Sequence, residues 1–109
     1  MFTNELQIRK LANAQPPLLK FSSETDFHIE LSKHVHAIHI RTLYAIQYAH
    51  EIQYDDDVTI AFLNDEDTLL GCPPDCWVTN LQSSLAYFIS IEDYEKCTET
   101  KETIEKIQS

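Results

Sequence analysis

The chain has 109 residues and a mass of 12.7 kDa, enough for a single domain over residues 1–109 with one modest core and too little for two independent folds. Hydrophobic residues make up 43% and charged residues 24%, so the apolar material that a disordered chain lacks is present. Eighteen Asp and Glu oppose eight Lys and Arg, for a formal net charge of -10. Direct binding of a nucleic-acid backbone is disfavoured, because that affinity comes from Lys and Arg neutralising phosphates.

Thr3 is placed to cap a short helix running to about Ala14, with Leu6 and Leu11 as its apolar anchors. Pro16-Pro17 then interrupts regular structure, as Pro73-Pro74 does later beside Gly71, the only glycine. From Ser22 or Ser23 to about Gln53 there is no Gly or Pro. Over that stretch Leu31, Val35, Ile38, Thr42, Ala45, Ala49 and Ile52 recur at steps of three and four, the spacing of one helical face. A long central helix is the firmest structural expectation. The alternation in Phe27-His28-Ile29-Glu30-Leu31 competes with it as a short strand. Ile29, Ile40, Leu43, Tyr44 and Tyr48 project from other sides, so the helix needs cover on more than one face.

Val58 to Leu63 is rich in β-branched and aromatic residues and reads as a strand; Asn64 to Asp67 connects it to a return strand, Thr68 to Leu70. Leu85, Tyr87, Ile89 and Ile91 also alternate, and Ser90 to Asp93 offers caps for a last helix reaching about Gln108. The expected class is α+β: a long central helix on a small antiparallel sheet, with flanking terminal helices. An all-α bundle is the alternative, since tight hairpins prefer the glycine that this chain lacks.

The charge is unevenly placed. Residues 1–41 hold five Lys or Arg against four acids, and residues 96–109 hold three against three. Residues 42–95 hold eleven acids and no Lys or Arg. Asp55-Asp56-Asp57 and Asp65-Glu66-Asp67 flank the expected strand, roughly 20 Å apart at ~3.3 Å per residue. With Glu51 they form the candidate partner-binding set, and Tyr48 and Tyr54 are its candidate apolar anchors. The plain alternative is a solvated acidic surface.

Other chemistry is weakly signalled. Asp55 to Glu66 spans twelve residues, but Ile60 stands where a calcium loop needs Gly. His28, His39 and His50 recur every eleven residues, ~16 Å apart on a helix, too far for one ion; His36 and His39 form a closer pair. Cys72 and Cys76 lack the other half of a zinc clamp. No metal or other cofactor is expected. Without a Gly-rich loop or a nucleophile elbow, the chain reads as a non-enzyme. No stretch reads as a secretion signal or a membrane span, and the three cysteines, Cys72, Cys76 and Cys97, suit a reducing cytoplasmic setting.

The expected function is a small acidic interaction module that docks on a basic protein partner. Inhibitors of nucleic-acid enzymes, immunity proteins and antidefence proteins that act as nucleic-acid mimics share this size and charge, as a matter of class analogy. The alternative is a structural or assembly subunit forming a homodimer through Ile40, Leu43, Tyr44 and Tyr48.

Overall fold

The computed structural model describes residues 5–65 and 67–109. Thr3, the Leu6 side chain and Glu66 lie outside the described residues. In chain order the elements are α1 (Glu5–Asn13), β1 (Leu18–Leu19), α2 (Glu24–Lys33), α3 (Val35–Glu51), β2 (Val58–Leu63), β3 (Leu69–Cys72), α4 (Trp77–Ser90) and α5 (Tyr94–Gln108), with a 3-10 turn at Pro74–Cys76. A three-stranded sheet is present, so the class is α+β and the all-α alternative falls.

The expected central helix is jointed. Ser23 caps α2 by accepting the Asp26 N–H, and Glu24 and Asp26 sit in the first turn, where the helix dipole favours acids. At His34 the backbone leaves helical angles (φ -112°, ψ 13°), and its N–H is shared between the carbonyls of Glu30 and Leu31. The Glu30 carboxylate accepts from Lys33 and from the Lys20 backbone N–H, tying the joint to the segment after β1. Phe27 meets Phe21 in a tilted ring contact with centroids 4.7 Å apart, which joins α2 to the segment after β1. The strand expected at Phe27 to Leu31 is therefore helix.

On α3 the buried residues are Thr42, Leu43, Ala45, Ile46 and Ala49. The expected stripe is buried only along its middle, because Val35 and Ile52 stand at the exposed ends of the helix.

The sheet is mixed rather than antiparallel. β1 pairs parallel with β2 through Leu18 opposite Phe62 and Leu19 opposite Leu63, while β3 pairs antiparallel with β2. Two helices intervene between β1 and β2, the kind of long crossover that parallel pairing requires. A bulge between Thr59 and Ala61 resets the side-chain alternation, so the consecutive residues Ile60 and Ala61 are both buried. The hairpin turns without glycine. Asn64 takes the left-handed conformation (φ 61°), and Asp65 Oδ1 accepts the N–H groups of Asp67 and Thr68.

The alternation at Leu85 to Ile91 misleads, because that segment is the end of α4. The buried residues of α4 are Trp77, Leu81, Ser84 and Phe88, spaced four, three and four, whereas Ile89 is 51% exposed. Trp77 Nε1 donates to the Cys72 carbonyl at 3.0 Å, seating the indole under the Pro73-Pro74 loop. Asp93 caps α5 by accepting the Lys96 N–H. Leu43, Ile46, Val58, Trp77, Leu81 and Phe88 meet in the core between α3, α4 and the sheet. Among the described residues no helix is long and apolar enough to cross a membrane.

Candidate functional site: the acidic hairpin and its flanking groove

The way α3 ends places the aromatic residues. Gln53 adopts the left-handed conformation (φ 60°), its N–H donates to the His50 carbonyl at 3.2 Å, and the Tyr54 N–H donates to the Ala49 carbonyl at 2.8 Å. This closure satisfies carbonyls that the helix end leaves open and turns residue 54 back toward residues 48 and 49. Tyr48 and Tyr54 consequently line one groove of about 320 Å3, with Ile52, Asp57, Leu11 and Arg41 among its other walls. Tyr54 and Ile52 are each 45% exposed at its rim.

The chain leaves that groove as Asp55-Asp56-Asp57, three exposed side chains in a row. Asp56 Oδ1 accepts the Asp57 N–H at 2.8 Å, which kinks the run into β2. The Asp57 carboxylate lies over Gly71 of β3. A Cβ at that position would stand 3.3 Å from Asp57 Oδ2, so the missing side chain is what lets the carboxylate rest on the strand. The ion pairs formed by Lys side chains among the described residues are Lys10 with Glu99, Lys33 with Glu30 and Lys96 with Asp93. No described ion pair takes Glu51, Asp55, Asp56, Asp57, Asp65, Asp67 or Asp75.

The expected partner-binding set is thus divided. Tyr48, Tyr54 and Asp57 share the groove, and Asp55 and Asp56 adjoin it. Glu51 lines a different groove with His50, Glu99 and Glu102, between α3 and α5. Asp65 and Asp67 are exposed at the far end of β2, where the Asp65 carboxylate already serves the turn. The two clusters bracket the β2–β3 hairpin.

Arg41 went unmarked in the sequence, where it is one cation at the edge of the acid-rich stretch. It is half-buried at the groove wall. Its Nε donates to the Thr59 carbonyl at 2.8 Å and its Nη1 to the Ala14 carbonyl at 3.4 Å. Burial lowers its pKa, yet a guanidinium stays charged at any working pH. Only an alignment of three distant segments reveals this role. The face expected to pair two copies is largely used within the chain. Leu43 is fully buried, Ile40 and Tyr44 pack against the core, and Lys10 sits 5.5 Å from the centroid of the Tyr44 ring.

The histidine pair does converge, but on hydroxyl groups. His36 Nδ1 is 2.8 Å from the Tyr87 hydroxyl and His39 Nδ1 is 2.8 Å from Ser84 Oγ, while the His39 ring stacks on Tyr87. Among the described residues no group of three His, Cys, Asp or Glu side chains is arranged to hold a metal ion. Burial, reinforced by the neighbouring His36, pushes the His39 pKa below its usual value. The unfolded chain then binds a proton more readily than the folded one, so stability is intact above about pH 6.5 and drains away as pH falls below it. Urea titrations at pH 7 and pH 5 are expected to show that loss in the native protein and a smaller one in His39→Gln. An equal loss in both would assign it to other groups. Burial also raises the Cys72 pKa, against an Asn80 amide that donates to its sulfur, and the Cys76, Asp57 and Asp75 charges add to the rise. Cys72 is therefore a packed thiol and Cys76 an exposed one.

Comparison with protein-family models, with curated proteins and with solved structures returns no match, so the functional reading rests on the geometry.

Proposed function

We propose that the protein is a small acidic binding module, without catalytic activity of its own, that docks on a basic surface of a partner protein. The observation that carries this reading is the junction at residues 52–57. Two half-exposed apolar side chains, Ile52 and Tyr54, adjoin three exposed carboxylates that no described ion pair neutralises. Exposed aromatic and aliphatic anchors supply desolvation energy at an interface, and the surrounding carboxylates steer a cationic partner and set its register. Carboxylates on a partner's basic surface occupy places that phosphates otherwise take, which puts the module in the class of inhibitors, immunity proteins and antidefence proteins that mimic nucleic acid. A reducing cytoplasmic setting suits the free thiols Cys72, Cys76 and Cys97.

The test must separate a local patch from overall charge. Binding to immobilised poly-lysine is measured at low and high salt for the native protein, for Asp55→Asn/Asp56→Asn/Asp57→Asn, and for Glu95→Gln/Glu102→Gln/Glu105→Gln, which removes the same charge from the exposed side of α5. The first variant is expected to lose at least ~10-fold more affinity than the second at low salt, a gap that closes as salt screens the charges. Equal losses would reduce the acids to solubilising charge and end the proposal.

A further inference from the structure

β3 is an edge strand with an outer side that no other strand covers. The Leu63 N–H donates to the Thr68 carbonyl at 2.8 Å, which fixes the direction of the backbone groups that follow. Because these alternate along an antiparallel strand, those of Leu70 turn toward β2 and those of Leu69 and Gly71 turn away from it. Neither Leu69 nor Gly71 has a backbone hydrogen bond outside the ladder among the described residues. The devices that usually blunt such an edge are missing from the strand itself. Leu69–Cys72 contains no charged residue and no Pro, and the bulge lies in β2. Leu69 and Gly71 also share the exposed face of the sheet, with Leu69 54% exposed, while Cys72 is buried on the opposite face.

Charge decides what such an edge accepts. The Asp57 carboxylate rests on Gly71 of this face, exposed Asp67 precedes the strand, and Asp75 follows it. A second copy, carrying a net charge of -10 and the same acids, would set like charges against each other. We propose that the outer edge of β3 takes up an extended, cation-bearing segment of the partner as a fourth strand. The incoming chain exchanges backbone hydrogen bonds with Leu69 and Gly71. On the exposed face it places an apolar side chain beside Leu69 and, two residues away, a Lys or Arg beside Asp57. This deepens, and rests on, the reading of the protein as an acidic docking module. It names the backbone groups and the spacing that the partner must match.

The experiment uses the full chain and the peptide Thr-Val-Thr-Lys-Thr-Val-Thr-Lys, with a version carrying Glu for each Lys. Amide hydrogen exchange is followed by NMR and affinity by fluorescence anisotropy. The Lys peptide is expected to slow exchange at Leu69 and Gly71 by at least ~10-fold, and the Glu peptide to leave both amides unchanged. Leu69→Pro removes an outward donor that β2 does not use, and it is expected to weaken the Lys peptide by at least ~10-fold while leaving poly-lysine binding intact. If that variant does not fold, the exchange data on the native protein decide. Lys-peptide binding without protection of these two amides overturns the edge pairing and leaves the acidic docking reading standing. Failure to bind the Lys peptide, with poly-lysine still held through Asp55 to Asp57, does the same. Loss of the patch-specific poly-lysine response removes both. Equal binding of the Glu peptide, or protection that grows with protein concentration alone, overturns the cationic occupant.

Discussion

Phe88→Ala is expected to destabilise the protein by about 3–5 kcal/mol, the cost of emptying a large aromatic site in a core that collapses only in part. Phe88 is the largest of the fully buried side chains, and its ring meets Tyr87 and His39 at edge-on angles. Its carbonyl also accepts the Asp93 N–H at 2.9 Å in the closure that ends α4. A domain of this size is held by roughly 5–15 kcal/mol, so the variant stands near the limit of folding. Urea denaturation beside Ile89→Ala is the check. Ile89 is half exposed, and its truncation is expected to cost under about 1 kcal/mol. The reverse order, with Ile89 the costlier site, is what the strand-like alternation of Leu85, Tyr87, Ile89 and Ile91 would produce.

Arg41→Met is expected to cost about 2 kcal/mol, in the range for hydrogen bonds made by a charged group. The substitution keeps the apolar stem and removes the donors to Thr59 and Ala14, leaving two carbonyls to find water in a half-buried place. Arg41 reaches from α3 to β2 and to the residue just after α1, so its loss loosens three segments together. Arg41→Lys is expected to recover less than half of the loss, since one ammonium cannot reproduce a planar fork aimed at two separate carbonyls. Chemical denaturation measures both, and a cost below about 0.5 kcal/mol for Arg41→Met would make its bonds incidental. The same variant opens the wall behind Tyr48 and Tyr54, so a fall in partner affinity is expected to accompany the fall in stability.

Local patterns in the sequence were sufficient wherever an element is stabilised by its own residues. The strand Val58–Leu63 follows from its β-branched and aromatic content, and its return partner, expected at Thr68 to Leu70, forms at Leu69–Cys72. The lack of glycine argues against that hairpin, and the Asp65 carboxylate closes the turn in its place. The last helix follows from the Asp93 cap and the absence of breakers, and the concentration of acids in residues 42–95 needs only counting. Three things came from tertiary structure alone. The joint at His34 lies in a stretch with no Gly or Pro, and it arises because Glu30 and the Phe21–Phe27 contact draw α2 toward β1. The parallel pairing of β1 rests on two leucines, too short a run to register against a background of apolar residues. The identity of α4 was hidden because alternate residues 85, 87, 89 and 91 mimic a strand, while the deciding spacing of Trp77, Leu81, Ser84 and Phe88 includes a buried serine that no hydropathy pattern marks.

For the site, sequence determined which residues are charged and long-range contacts determined where those charges stand. Each acid cluster is written as consecutive residues, but the seating of Asp57 on Gly71 requires that two strands meet in one register. The meeting of Tyr48 and Tyr54 in one groove depends on a left-handed Gln53 at the end of α3, a backbone state that glutamine rarely signals. Charge is a property of single residues and survives any fold. Proximity between residues far apart in the chain follows from packing the whole core, and only the folded molecule supplies it.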